Sequence, residues 1–289
     1  MKNLSLIVPV YNEEKSINST AEELSRVIKN RQNIEVIFVD DGSTDNTSHL
    51  LQSLNIEGIK TLSHSKNKGY GAALKTGIKN SSYEYIAITD ADGSYPNDRI
   101  PELYDKLVDE KSDMVIGARV GKIVAIGFFR RFGKFLLRKL AEYLSEEKIQ
   151  DLNSGLRVIR KELMLEAMKY LPNGFSFTTT LSLAFLANNY KIIYIPIDYY
   201  KRTGKSKIKP LSDTLNFIQL IVRTVMFFNP LKVFLPLSGF FILLSLAVLL
   251  ISSFMGRVMD ITSILLFVTG LHLLAIGLLA DLIDKRLSK

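Results

Sequence analysis

Between its start and about residue 120 the chain alternates short apolar runs with amphipathic stretches, and no other feature limits its folding choices so tightly. Five runs rich in Ile and Val, at 4–10, 34–39, 56–62, 83–89 and 114–118, read as strands. Amphipathic patterns at about 13–30, 45–54, 70–80 and 98–110 read as the helices between them. Strands that are apolar without interruption must be covered on both faces. The alternation therefore predicts an α/β fold, an open and mostly parallel sheet with helices on both faces. Such sheets bind ligands beyond the carboxyl ends of their strands, so the polar residues there carry the functional information.

Those residues are acidic. The first run ends in Pro9-Val10-Tyr11-Asn12-Glu13-Glu14, the second in Asp40-Asp41-Gly42-Ser43-Thr44-Asp45, and the fourth in Asp90-Ala91-Asp92-Gly93. Any one of these could be a turn or a helix cap, which suits Asp45 well and the adjacent Asp40 and Asp41 poorly. Carboxylates gathered at one sheet edge repel each other unless a cation or donor groups compensate. Asp90 and Asp92 supply hard oxygen ligands one residue apart, suited to Mg²⁺ or Mn²⁺ bridging phosphate oxygens. The segment Ser65 to Ala73 leads into a helix through small residues, which let backbone approach backbone or ligand. Its glycines do not follow the first strand, and this excludes the dinucleotide-binding fingerprint.

Composition narrows the chemistry further. With no Cys and three His (His49, His64, His272), disulfides, thiolate zinc sites and a cysteine nucleophile are excluded, and a histidine-rich metal cage is disfavoured. The net charge of +8 favours anionic partners. The basic residues cluster beside two apolar runs and form no recognition motif, so nucleic acid is not among the expected partners. Residues 233–255 carry no charge and 261–280 carry only His272, each run long enough to cross a hydrocarbon core of ~30 Å. Lys205, Lys207, Lys209, Arg223 and Lys232 precede them, Lys285, Arg286 and Lys289 follow, and the turn holds Arg257. By the positive-inside bias this predicts an integral membrane protein with both termini cytoplasmic. Gly270 and Gly277 would serve close helix packing, within the hairpin or between protomers of a homo-oligomer.

The motifs VPVYNEE (8–14), VDDGSTDNT (39–47), N-x-G-x-G-x-A-x-x-x-G (Asn67 to Gly77), DADG (90–93), G-A-R (117–119) and DLNSGLR (151–157) together resemble family 2 glycosyltransferases of the GT-A fold. The nearer likeness is to the membrane-anchored polyprenyl-phosphate branch, typified by dolichol-phosphate mannosyltransferase. It runs through residues 3–210, and the C-terminal hairpin fits it. The resemblance implies inverting transfer from a UDP- or GDP-linked hexose. Pro9, Tyr11, Glu13, Asp40, Asp41 and Ala91 would bind the donor nucleotide, and Asp90 and Asp92 the metal. Asp92, Arg119 and Lys207 would be catalytic. The implied domains are a cytoplasmic GT-A domain at 1–210, a juxtamembrane segment at 211–232, a transmembrane hairpin at 233–283 and a tail at 284–289. Within the first, about 128–144 reads as a basic amphipathic helix lying against membrane lipid.

The expected acceptor is polyprenyl or dolichyl phosphate. Lys201-Arg202-Thr203-Gly204-Lys205-Ser206-Lys207 resembles the family's R-x-x-G-x-S-K loop, with Lys201 at the arginine position and Arg202 one residue later; either can take that role. Arg131, Lys201, Arg202, Ser206 and Lys207 form the expected phosphate and acceptor set. Residues 173–180, where many relatives carry an acid, hold none. A sugar hydroxyl needs a base, whereas a phosphate monoester, with a second pKa of about 6, is already an anion at neutral pH. The alternatives are a lipid or glycan hydroxyl acceptor, or a non-catalytic nucleotide-sugar-binding membrane protein. A processive synthase needs Q-x-x-R-W, and the chain has no Trp.

Overall fold

The computed structural model describes residues 3–29, 33–54, 56–119, 138–174, 176–200, 230–256 and 260–287. The chain divides into two compact units, Met1–Glu142 with Glu147–Phe217, and Tyr143–Glu146 with Ile218–Lys289.

The first unit contains β1 (Leu4–Val10), α1 (Ile17–Ile28), β2 (Ile34–Asp40), α2 (Thr47–Ser53), β3 (Ile59–Ser63), α3 (Tyr70–Lys79) and β4 (Tyr85–Ile88). A 3₁₀ turn at Asn97–Arg99 then runs into α4 (Ile100–Asp109), followed by β5 (Met114–Arg119), β6 (Arg157–Arg160), α5 (Lys161–Ala167), α6 (Phe177–Ala187) and β7 (Ile192–Ile197). The seven strands lie in the order β3-β2-β1-β4-β6-β5-β7. All pairings are parallel except those of β6 with β4 and β5. This is the expected mostly parallel sheet with one antiparallel strand inserted.

Strand periodicity divides the core between the two faces. Leu4, Leu6, Val8 and Val10 of β1 pack with Ile17, Ala21 and Leu24 of α1 and Leu103 and Leu107 of α4. Ile7 points the other way, into a second core with Ala73, Leu74 and Ile78 of α3 and Phe177, Leu181 and Phe185 of α6. β1 is buried along its whole length, as a central parallel strand should be, and each such Leu or Ile contributes about 1.5–3 kcal/mol of burial. Gly77 allows α3 to sit close: a side-chain carbon there would fall 2.4 Å from Ile7 Cγ2.

The second unit holds two long apolar helices, α7 (Leu231–Phe254) and α8 (Asp260–Leu287). Small residues interlock them. Ser238 Oγ donates to Gly270 O at 2.8 Å and Ser245 Oγ to Ser263 O at 2.7 Å. A side-chain carbon on Gly270 would lie 2.6 Å from Ile242 Cγ1, and one on Gly277 2.6 Å from Phe234 Cβ. Both glycines thus work within the hairpin. The helices are long and apolar enough to cross a membrane. Their outer side chains are largely exposed to solvent, Leu243 at 67% and Ile261 at 77% among them. Length and apolarity are needed for a span and do not establish one. The interfacial helix expected at about 128–144 is described only from residue 138, where 138–145 are helical.

Candidate active site

The sheet topology gathers the informative residues at one edge. β1, β2 and β3 run to one side of a switch point and β4 lies on the other, with all four strands ending at the same rim. β5 and β7, parallel to each other, lie beyond β6. Because β6 is antiparallel to β4 and β5, its amino end reaches that rim as well. That inversion brings 151–157 beside Asp90 and Arg119.

On the first side, the turns after β1 and β2 are stitched together. Asn12 N donates to Ser43 Oγ at 2.9 Å, Thr44 N to Asn12 Oδ1 at 2.7 Å and Glu13 N to Thr47 Oγ1 at 2.9 Å. Asp40 accepts Ser43 N at 3.0 Å, Ser43 Oγ at 2.6 Å and the hydroxyl of Ser48. Asp41 accepts Lys68 N at 2.9 Å and Gly69 N at 2.8 Å, and pairs with His64 Nδ1 at 2.7 Å. His64 Nε2 in turn meets Thr76 Oγ1 at 2.9 Å. Donor groups thus compensate this acidic pair internally, and turn chemistry explains Asp40 and Asp41 better than the sequence suggests. Asp45 behaves as expected, accepting Thr47 N at 3.0 Å ahead of α2. Burial opposes its charge, yet the Thr47 hydrogen bonds hold its carboxyl below the ordinary range.

A cleft of about 400 Å³ opens beyond β1, β2 and β3, lined by Tyr11, Asp40, Gly42, Ser43, Thr44, Ser48, Gln52 and the 63–67 loop. Of the expected nucleotide residues, Tyr11 and Asp40 line it. Pro9 lies within β1, Glu13 and Ala91 are buried, and Asp41 turns away to hold the 64–69 loop. Gln52 and His64 were not singled out, because a lone polar residue on a helix or after a strand carries no motif. Gly69 and Gly71 of the 67–77 motif admit backbone rather than open a phosphate cradle. A side-chain carbon on Gly71 would fall 2.3 Å from Pro172 O, and Ala72 N donates to Asn173 O at 3.0 Å.

On the second side, Asp90 and Asp92 follow β4. Tyr70 Oη donates to Asp90 Oδ1 at 3.0 Å, and Asp92 Oδ1 accepts Ser94 N at 3.0 Å and Ser94 Oγ at 2.5 Å. Burial and the nearby Asp90 push the Tyr70 hydroxyl well above its usual pKa, so it stays a donor. Thr20 Oγ1 of α1 holds Ala91 O at 3.1 Å. Arg119, at the end of β5, grips Asp151 through Nε at 2.7 Å and Nη2 at 2.8 Å. Its guanidinium also sits 5.2 Å from the Tyr199 ring centroid. Burial alone would raise the Asp151 carboxyl, but Arg119 overrides it and holds the group below the ordinary range. Asp151 and Arg157 stand at the two ends of the DLNSGLR motif, but the sequence reading assigns neither a role: Asp151 lies 32 residues from its partner, and Arg157 is fully buried. Arg131, Lys201, Arg202, Ser206 and Lys207 lie outside the described residues.

Residues 5–166 match the model of the family described as "Glycosyl transferase family 2". The chain belongs to glycosyl transferase family 2. As such it is a glycosyltransferase, and residues 229–285 match a second model, described as "GtrB C-terminal hairpin". A relative in Haloferax volcanii, a dolichyl-phosphate hexose transferase, is 28% identical over 222 residues, covering 76% of this chain and 93% of that one. A dolichol-phosphate mannosyltransferase of Pyrococcus furiosus is 28% identical over 219 residues, 71% of this chain and 59% of that one. The fold is shared with glucosyl-3-phosphoglycerate synthase of Mycobacterium tuberculosis, solved with Mn²⁺, UDP and phosphoglyceric acid. That match has a TM-score of 0.60 at 21% identity, over 78% of each chain.

These findings correct the localisation expected from the sequence. One solved structure sharing the fold is of an enzyme in complex with phosphoglyceric acid, a small water-soluble compound, so this glycosyltransferase fold does not require a membrane. Together with the exposure of α7 and α8 to solvent, this overturns the integral-membrane placement and, with it, the cytoplasmic assignment of both termini.

Proposed function

We propose that the chain moves a sugar from a nucleoside diphosphate, assisted by a divalent cation, onto the phosphate of a polyprenyl or dolichyl lipid. The observation that carries the acceptor choice is the state of Asp151. This carboxylate stands at the site's rim, but Arg119 occupies it through two hydrogen bonds and holds its pKa low, which makes it a poor proton acceptor. Residues 177–180, in the stretch that lacks an acid, form the buried first turn of α6. A site with this equipment suits an acceptor that arrives already ionised. The relatives in Haloferax and Pyrococcus, both dolichyl-phosphate sugar transferases, support the same choice.

Asp90 and Asp92 fit a hard cation. Among the described residues no cluster of three or more His, Cys, Asp or Glu could enclose a metal. Two carboxylates completed by diphosphate oxygens and water match the way Mg²⁺ or Mn²⁺ is commonly held. Such an ion, when bound, neutralises charge on the departing diphosphate. Tyr11 and Asp40 in the cleft face the nucleoside. Arg119, fixed by Asp151 and Tyr199, presents its charge to the sugar and phosphates. Lys201, Arg202, Ser206, Lys207 and Arg131 complete the phosphate and acceptor set in this reading. A lipid phosphate oxygen forms the new bond to the anomeric carbon as the bond to the diphosphate breaks, which inverts that centre. The protein contributes alignment and electrostatics.

A hydroxyl acceptor is the second reading, favoured by the phosphoglyceric acid complex of the fold-sharing enzyme. The test supplies purified protein with Mn²⁺ or Mg²⁺ and radiolabelled UDP- and GDP-sugars. Polyprenyl phosphate, a polyprenol and 3-phosphoglycerate are offered in turn. Label entering the organic phase with the lipid phosphate alone is expected. Label on the polyprenol or on phosphoglycerate, with none on the lipid phosphate, would overturn the proposal in favour of the hydroxyl.

A further inference from the structure

The Asp90 carboxylate rests against backbone that leaves no room beside it. A side-chain carbon built on Gly155 would lie 2.9 Å from Asp90 Oδ2 and 3.1 Å from both Cγ and Oδ1. The Tyr70 hydroxyl engages Oδ1 at 3.0 Å. Gly155 is itself fixed, because its N–H donates to the Tyr95 hydroxyl at 2.7 Å. The carbonyl just before it, Ser154 O, accepts Arg157 Nε at 3.1 Å and also the Nη2 group. Arg157 Nη1 reaches on to Thr178 O at 3.0 Å and Ser182 Oγ at 3.2 Å, tying the 154–157 turn to α6. Burying a guanidinium is costly in desolvation, and here its donors are spent mainly on holding backbone. The proposed reaction gives Arg157 and Gly155 no part.

We infer that Gly155 is a positioning residue for Asp90. The turn held by Arg157 and Tyr95 forms a seat that fixes where the carboxylate points, and so sets how tightly the site takes its divalent cation. This rests on the reading of Asp90 and Asp92 as the cation's ligands. Groups that orient metal ligands typically change metal affinity by ~10–100-fold when altered. The obstacle to a methyl at position 155 is the end of a side chain rather than backbone, so Gly155→Ala should shift the carboxylate and leave the fold standing.

The test is a Mn²⁺ titration of the full-length protein in the presence of UDP, with free Mn²⁺ read by electron paramagnetic resonance. Wild type, Asp90→Asn, Gly155→Ala and Arg157→Lys are compared, each with its Tm. Gly155→Ala is expected to raise the apparent Kd for Mn²⁺ about tenfold or more, with Tm nearly unchanged and turnover restored by excess Mn²⁺. Wild-type Mn²⁺ affinity in this variant overturns the inference. Should Gly155→Ala fail to fold, Arg157→Lys takes its place under the same criterion, since it keeps the charge and loses the two-pronged hold on Ser154. A wild type that binds no Mn²⁺ overturns the cation reading itself. A wild type that binds, beside an Asp90→Asn that does not, isolates the positioning claim.

Discussion

Two strands of the sheet lead into a pair of aspartates, and the two pairs are held differently. Asp40 and Asp41 are 1% and 3% exposed, and between them they accept backbone amides of Ser43, Lys68 and Gly69, hydroxyls of Ser43 and Ser48, and the His64 ring. Asp90 and Asp92 receive hydroxyls from Tyr70 and Ser94 and one amide, and they stand where β4, β5 and β6 converge with Arg119. Repulsion between neighbouring carboxylates is answered by backbone in the first pair. In the second, the proposed function answers it with a cation. An acidic strand end therefore announces a rim of importance without saying which of these answers applies.

The comparison breaks most visibly at Asp92. Asp92→Ala should cost transfer on the order of 10³-fold, because it removes a proposed cation ligand, while the lost hold on Ser94 lowers stability by about 1–3 kcal/mol. A wild-type rate would place this pair beside Asp40 and Asp41 as turn chemistry. Next comes Asp151→Asn, expected to lower kcat about 10–100-fold by releasing Arg119. It also has a pH signature. The Asp151 carboxyl is depressed in the fold despite its burial, so its stabilisation is complete above the pH where an unfolded Asp titrates. That stabilisation is lost as pH falls through the lower, folded value. The stability gap between wild type and Asp151→Asn, from urea melts, should stay flat between about pH 5 and 8 and close below about pH 4. A gap that closes near neutrality instead would remove Arg119 as the cause.

Asp41→Asn sharpens the contrast from the other side. It should cost about 2 kcal/mol of stability, since one oxygen becomes a donor facing other donors, while kcat at saturating donor holds within about twofold. A thousandfold kcat loss in a fully stable protein would move Asp41 into the catalytic group. The smallest effect belongs to Asp45→Ala, about 1 kcal/mol for the lost hydrogen bond to Thr47 N ahead of α2, with kinetics unchanged. Paired thermal melts and initial rates would register it.

Much of the fold was legible because β1, β2 and β4 are continuous apolar runs and the turns after them are rich in Asp, Gly and Ser. β6 and β7 were not read. RVIR (157–160) is too short and too charged at its ends to signal a strand, and its inversion is a tertiary choice made by β4 and β5. The acidic turns were read correctly as a cluster, but single residues were harder. Arg157 closes the DLNSGLR motif, but only packing shows that it is buried beneath the 154–157 turn. The Arg119–Asp151 pair joins two separate motifs, G-A-R and DLNSGLR, whose spacing does not say that they meet. The apolar runs at 233–255 and 261–280 did foretell two long helices, while the placement drawn from them went beyond what length and composition can establish.

The Arg119–Asp151 pair has a further consequence, because β5 ends and the approach to β6 begins at that same ion pair. The pair works as a clasp on the chain: it pins the end of β5 to the residues that lead into β6, so this part of the rim is closed by an ion pair as well as by strand pairing.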